Sequence, residues 1–325
     1  MSDWNSNQYM KFGAERTQPS IDLVNRIADT KPKHILDIGC GPGNSTHRLA
    51  EQFPNADILG VDYSEDMLKK AQATYPELKF EQSRMPDDLD KLNGKFDLIF
   101  SNACIHWIPD HESLLPAIFD KLNDDGTLAV QIPYIQKAPF YRLLNLLVHT
   151  VEWKKLASIH NFHNLLPEDY YDILGRLSDN FNIWETTYYH TVHSHDGVIE
   201  WYKGSGLRPY LDMLSDEEQP EFLADLTEII SENFPRRANG SIILKMPRLF
   251  FTAKNEHKIT ADDLLVGGLL IVKIYASFFL LTARLIALPI SNTGTVESAR
   301  PKEIASSSML NVPGSIPNTV QRPGI

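Results

Sequence analysis

The stretch His34-Ile35-Leu36-Asp37-Ile38-Gly39-Cys40-Gly41-Pro42-Gly43-Asn44-Ser45-Thr46 decides the fold of this chain. A short apolar run breaks into a turn with glycine at alternating positions, then resumes with helical periodicity, which reads as strand, loop, helix. Glycines in such a loop let the backbone take positive φ and approach a ligand. The helix that follows points unpaired N–H groups at whatever lies over the loop. Tight strand-to-helix turns also use glycine for structural reasons, so the glycines alone do not separate a ligand site from a turn. Two neighbours say more. Asn44 stands where the third glycine of the dinucleotide pattern G-x-G-x-x-G falls. Asp37 ends the strand two residues before Gly39, where a carboxylate would repel a pyrophosphate and pair with an ammonium group.

Downstream, Asp57-Ile58-Leu59-Gly60-Val61-Asp62 reads as a second strand ending on an acid. The interval of about 20 residues suits a carboxylate that hydrogen-bonds ribose hydroxyls. A nucleoside ligand with an amine is therefore expected, and S-adenosylmethionine fits better than NAD. Tyr63 and Ser64 lead into a helix over 65–74, with Ser64 as N-cap and Met67 placed either against an adenine ring or in the core. A short strand over 78–81 precedes Gln82-Ser83-Arg84-Met85-Pro86. The nearly continuous apolar run 95–103 has the character of a buried parallel strand and empties into Cys104-Ile105-His106-Trp107. A helix over 111–122, a turn at 123–126 and a fifth strand over 127–132 follow. Upstream, Pro19 opens a helix with Ile21, Val24 and Ile27 on its apolar face. This alternation predicts a doubly wound α/β sheet, in which ligands bind outside the carboxyl ends of the strands.

After Pro133 the pattern changes. Residues 134–180 read as helical and aromatic, 181–191 as a strand, 193–238 as a largely helical insertion, and 241–253 as a long β segment whose Pro247 suggests a bulge or an edge. His190, His193 and His195 have no cysteine or acidic cluster beside them, so no metal site is expected there. An apolar segment, 264–290, is interrupted by Lys273 and Arg284. Three readings stand open for it: a membrane-associated helix, a helix packed on the domain or a partner, and an accidental extension. The Ser- and Pro-rich end, 291–325, is expected to be disordered. With 42% hydrophobic residues the 325-residue chain suits a globular core, and its formal charge of −11 without a basic run argues against nucleic acid as partner. Two cysteines and a start lacking a secretory signal point to a reducing, cytoplasmic setting.

With Asp37-x-Gly-x-Gly-x-Gly, Asp62 and Ser101-Asn102-Ala103-x-x-His106-Trp107 in hand, the chain resembles the class I S-adenosylmethionine-dependent methyltransferases. Narrower stretches resemble the branch that esterifies small polycarboxylic acids such as trans-aconitate. These include Ala14-Glu15-Arg16, Trp107-x-Pro109-Asp110-His111, Tyr170-Tyr171-Asp172-Ile173-Leu174, Thr186-Thr187-Tyr188-Tyr189-His190, Gly206-Leu207-Arg208-Pro209 and Pro247-Arg248-Leu249-Phe250. The resemblance implies a Rossmann-like sheet of seven strands, the last antiparallel. It implies a methyltransferase domain over 1–254, with a lid and first helix in 1–33, a cofactor-binding core in 34–133 and a substrate-covering cap in 193–238. Residues 255–325 would be an atypical extension.

By the same resemblance, Asp37, Gly39, Gly41 and Gly43 hold the methionine end of the cofactor and Asp62 takes the ribose. Asn102 and Ala103 border the sulfonium, with Arg16, Asn44, Tyr63, Met67, Met85 and Trp107 completing the surroundings. Arg84 stands where an acid is customary before the adenine, so the backbone at Met85 would substitute. A carboxylate acceptor is already ionised at neutral pH and needs no general base; what it needs is cationic or hydrogen-bonding clamps. Arg208 is the first candidate, followed by Arg248, His106, Tyr188 and Tyr189. Another small or carrier-bound acceptor, a tethered cofactor-binding module without enzymatic activity and, more remotely, an NAD-dependent oxidoreductase are the competing readings.

Overall fold

A computed structural model of the protein describes residues 13–256, leaving out Asn161 and the side chains of residues 13–16. The proposed lid residues Trp4, Tyr9 and Phe12, the side chain of Arg16, the apolar segment 264–290 and the end 291–325 lie outside the described residues.

Seven strands form one sheet: β1 (His34–Ile38), β2 (Asp57–Asp62), β3 (Lys79–Gln82), β4 (Phe96–Asn102), β5 (Leu122–Pro133), β6 (Phe181–Val192) and β7 (Ile242–Lys254). Their order is β3-β2-β1-β4-β5-β7-β6. The first five pair in parallel, and β7 runs antiparallel to both β5 and β6. The order reverses at β1, so β1 and β4 diverge into loops on either side of a crevice, the place where such sheets bind ligands. Ser101 Oγ donates to the Ile38 carbonyl at 3.0 Å and ties these two strand ends together.

Two helical layers cover the sheet because its central strands are apolar on both faces. On one face lie α1 (Gly13–Arg26) and α2 (Asn44–Gln52), whose Leu23, Val24 and Leu49, with Ile27 in the turn just after α1, pack with Leu98, Phe100, Ala129 and Phe250. After α3 (Glu65–Thr74), the opposite face receives α4 (His111–Phe119). Beyond α5 (Pro139–Val148), α6 (Pro167–Leu177) packs on that same face, where Leu115, Ile118, Tyr170 and Ile173 meet Ile38, Ile99, Val130 and Phe251. Each side chain fully buried this way contributes about 1.5 to 3 kcal/mol of transfer free energy.

A third core lies beyond the sheet proper. The β5 ladder on β7 stops at Pro133 opposite Arg248, while β6 and β7 continue together to Val192 opposite Ile242. That two-stranded arm packs with α5, α7 (His195–Lys203) and α9 (Glu218–Asn233) through Met246, Leu244, Phe140, Trp201 and Phe222. Between α7 and α9 lies the single turn α8 (Arg208–Leu211).

Two local expectations are corrected and a third is narrowed. Pro19 lies inside α1, which begins at Gly13. The turn expected at 123–126 is absorbed into β5 as an irregularity, with pairing jumping from Phe96 opposite Leu122 to Leu98 opposite Thr127. Pro247 produces no bulge, since its register on β6 runs unbroken through Thr187 opposite Pro247, but it does stand at an edge: the β5 ladder ends one residue short of it, at Arg248 opposite Pro133. The reason is geometric. The Pro247 carbonyl faces the β5 side, where it accepts the Tyr134 N–H at 2.9 Å just past the end of that ladder. In an antiparallel ladder the nitrogen of the same residue faces the same side, so its missing N–H costs no ladder bond.

Candidate active site

The loop after β1 is built by backbone conformations that few residues other than glycine adopt. Gly39 has φ of 74°, and a Cβ there would lie 2.2 Å from Cys104 Cβ, so the loops after β1 and β4 touch only because that side chain is missing. Gly41, with φ of 54°, has nothing within 4 Å of the position a Cβ would occupy. The space over Gly41 is the floor of a cavity of about 690 Å³.

Asp37 and Gly43 play different parts from those expected. Asp37 is fully buried behind the loop with no surface on the cavity. Its Oδ2 accepts from Ser45 Oγ and Thr46 Oγ1, both at 2.7 Å, which pins the first turn of α2 to β1, while Oδ1 has no partner. Burial raises its pKa from 3.8 to about 6, against the two hydroxyl bonds, which lower it. Gly43 precedes α2, and a Cβ there would meet Tyr75, Phe80 and Ala71 at 2.9 to 3.2 Å, so it is required by packing and lies off the cavity wall.

Asp62 at the end of β2 is held by two backbone donors, with Gly41 N giving to Oδ2 and Ser64 N to Oδ1, each at 2.8 Å. This bond from Gly41 fixes the glycine loop against the second strand. Ser64 Oγ accepts the Met67 N–H at 3.3 Å and starts α3, which sets the buried Met67 against the cavity. Arg84 lies over the Tyr63 ring at 4.1 Å, a cation–π contact at the rim. Asn44, Met85, Asn102, Ala103 and Trp107 also line the cavity, so with Gly39, Gly41, Asp62, Tyr63 and Met67 ten of the expected cofactor residues converge there.

Arg208 on α8, Arg248 on β7 and His106 after β4 line the same cavity. Arg208 Nε is 3.7 Å from Asp212 Oδ2, a pairing one turn along α8. His106 sits in the short turn after β4, held from behind by His111, whose ring nitrogens contact Tyr170 Oη at 2.7 Å and the Ile105 carbonyl at 2.9 Å. Burial pushes the His106 pKa well below its ordinary value and the nearby Arg248 charge pushes it further, so the ring is neutral at pH 7; its Nδ1 has no partner. It packs against Trp107 and Phe162, with ring centroids 4.9 and 5.7 Å away.

Tyr188 and Tyr189 are not brought to this wall. Tyr188 Oη donates to Asp22 Oδ2 at 2.5 Å and ties β6 to α1, and Tyr189 is 63% exposed. Neither lines the cavity, because strand alternation sends one toward α1 and the other to solvent. The histidine cluster is likewise dispersed: His190 stacks on Trp201 and His195 Nε2 contacts the Phe234 carbonyl at 3.0 Å. Among the described residues no group of three or more His, Cys, Asp or Glu could hold a metal ion. Nor is any helix among them long and apolar enough to cross a membrane.

Sequence reading missed Ser20, Gln131, Tyr141, Phe162 and Trp201, all on the cavity wall. Two of these carried a signal. Gln131 is the single polar residue in Leu128-Ala129-Val130-Gln131-Ile132, and Ser20 occupies a position on the apolar face of α1 that continues through Leu23 and Val24.

A seven-stranded mixed sheet with β7 antiparallel, a glycine loop after β1, an acid ending β2 and a cavity across both define the class I methyltransferase fold. Residues 29–177 match the family described as Methyltransferase domain. The chain belongs to the trans-aconitate 2-methyltransferase family: it is 40% identical over 258 residues to the trans-aconitate 2-methyltransferase of Enterobacter sp. (strain 638), covering 79% of this chain and 100% of that one. It is 39% identical over 259 residues to the enzyme of that name from Methylobacterium nodulans, covering 78% and 99%. Among solved structures, phosphoethanolamine N-methyltransferase 2 of Haemonchus contortus with S-adenosyl-L-methionine matches with a TM-score of 0.47 and 15% identity, over 77% of this chain and 57% of that one.

Proposed function

We propose that this protein transfers the methyl group of S-adenosyl-L-methionine to a carboxylate of trans-aconitate, giving a monomethyl ester and S-adenosylhomocysteine. The observation that carries the reading is the single cavity joining a glycine loop and Asp62 at one end to Arg208, Arg248 and a neutral His106 at the other. The residues at the first end fit the cofactor: the open space over Gly41 admits a ligand against the backbone, and Asp62, fixed by two N–H groups, presents a carboxylate where a ribose would lie. Fully buried Asp37 places negative charge behind the loop, on the side where an ammonium group is favoured.

When bound, S-adenosyl-L-methionine supplies an electrophilic methyl group. The protein's own residues do the rest. The acceptor carboxylate arrives ionised, so no side chain has to remove a proton, and the neutral His106 is suited to hydrogen bonding rather than to charge pairing. Arg208 and Arg248 neutralise and orient the carboxylates that do not react, and bidentate guanidinium pairing fixes their angle as well as their position. Trp107, Phe162 and Tyr141 wall the cavity with aromatic rings that exclude water from the reacting oxygen. The purified protein should transfer tritiated methyl to trans-aconitate. Intact S-adenosylhomocysteine binding with no transfer to that acid would point to a different acceptor.

A further inference from the structure

Two buried polar side chains on the cavity wall have no assigned role. Gln131 is 1% exposed and its Nε2 has no partner; Ser20 is 1% exposed and its Oγ has none. Both line the cavity. An unpaired amide donor buried in a strand core forfeits the bond it made to water, and a ligand that accepts from it restores that bond.

Their placement says which ligand group. Gln131 pairs in register with Asn102 on β4 and with Phe250 on β7, and Arg248 pairs with Pro133 two residues further along β5. Residues directly opposite share a face, and so do residues two apart, so Gln131 and Arg248 rise from the same face as diagonal neighbours, about 7 to 8 Å apart along the backbone. This is the face that α1 covers, as shown by Phe100, Ala129 and Phe250 packing with Leu23 and Val24. Ser20 stands on α1 one turn before Leu23, on the helix that covers this face, and lines the same cavity. A guanidinium, an amide N–H and a hydroxyl thus converge from β7, β5 and α1, three donors and no carboxylate among them. Arg208 approaches from α8 in the cap, a separate element.

We propose that Gln131, with Ser20, forms a carboxylate-binding subsite beside Arg248, distinct from the one Arg208 serves, and that it fixes which carboxylate of a polycarboxylic acceptor is left unreacted. The inference rests on the carboxylate-acceptor reading above. Gln131 is a positioning residue here: it grips a group that does not react and so directs the one that does.

The test is Gln131→Met, which keeps the volume and removes the donor, with Gln131→Glu, which introduces a negative charge, as a companion and Ser20→Ala as a third variant. Binding of trans-aconitate to the complex with S-adenosylhomocysteine is measured by calorimetry, alongside dicarboxylates that each lack one of its three carboxylates. Loss of one hydrogen bond to a charged group should weaken trans-aconitate by about 10- to 100-fold in Gln131→Met. Gln131→Glu should weaken it further, while affinity for S-adenosylhomocysteine stays unchanged. One of the dicarboxylates, the one missing the gripped group, should bind wild type and Gln131→Met equally. Equal weakening of all the acids, or none, overturns the subsite while leaving the acceptor assignment standing. Failure of the wild-type complex to bind trans-aconitate at all, with S-adenosylhomocysteine bound, overturns the acceptor reading and the subsite together.

Discussion

Asp37→Asn isolates the energetic consequence of placing a carboxylate behind the glycine loop. Burial raises the Asp37 pKa from 3.8 to about 6 even though two hydroxyls donate to it. The folded protein therefore holds a proton that the unfolded chain has shed between those two values. The native state is most favoured below the lower value, loses that advantage as pH rises, and carries the full penalty above the upper one. Integrating the proton-binding difference gives about 2 kcal/mol lost between pH 4 and 7, of which about 1 kcal/mol falls between pH 5 and 7. Asparagine keeps an oxygen for Ser45 and Thr46, and any cost of its buried amide is independent of pH. The difference in unfolding free energy between wild type and Asp37→Asn, from urea titrations without cofactor, should shift by these amounts in favour of the variant. S-adenosylhomocysteine should reduce the shift, because its ammonium lowers the pKa of the carboxylate behind the loop. Parallel curves across pH 4 to 7 would show that Asp37 titrates as an ordinary solvated acid and would refute the account of its burial.

Arg208→Ala should raise the acceptor KM by about 10- to 100-fold in steady-state assays, with calorimetric affinity for S-adenosylhomocysteine unchanged; equal loss of both would count against its place at the acceptor end. Gly39→Ala combines positive φ with a Cβ 2.2 Å from Cys104 Cβ, so a loss of about 2 to 5 kcal/mol of stability is expected by chemical denaturation, together with loss of cofactor binding. A second substitution, Cys104→Gly, should recover part of that loss by removing the overlapping atoms. Tyr188→Phe removes the bond to Asp22 and should cost about 1 kcal/mol of stability while leaving the acceptor KM unchanged, since the hydroxyl has no place on the cavity wall.

The alternation of apolar runs with amphipathic segments, the glycines after β1 and the acid at the end of β2 are local patterns. Strand, turn and helix signals lie within a few residues of each other, so they determined the doubly wound sheet and the position of its crevice. The same locality explains why ten of the expected cofactor residues, among them Gly39, Gly41, Asp62 and Asn102, reached one cavity: each stands at or just beyond the carboxyl end of a parallel strand. Only the tertiary structure decided which side chains of those segments face the ligand. Asp37 and Gly43 belong to the motif yet turn inward, one to pin α2 and the other to admit Tyr75 and Phe80. Tyr188 and Tyr189 sit in a stretch that carries the family resemblance, but strand alternation and the approach of α1 take them off the wall. Gln131, Ser20 and Arg248 lie far apart along the chain and come together only when β5, β7 and α1 are paired and packed. Pairing across a sheet depends on register between distant segments, which no window of sequence contains; that is why the acceptor end of the cavity had to be read from the fold.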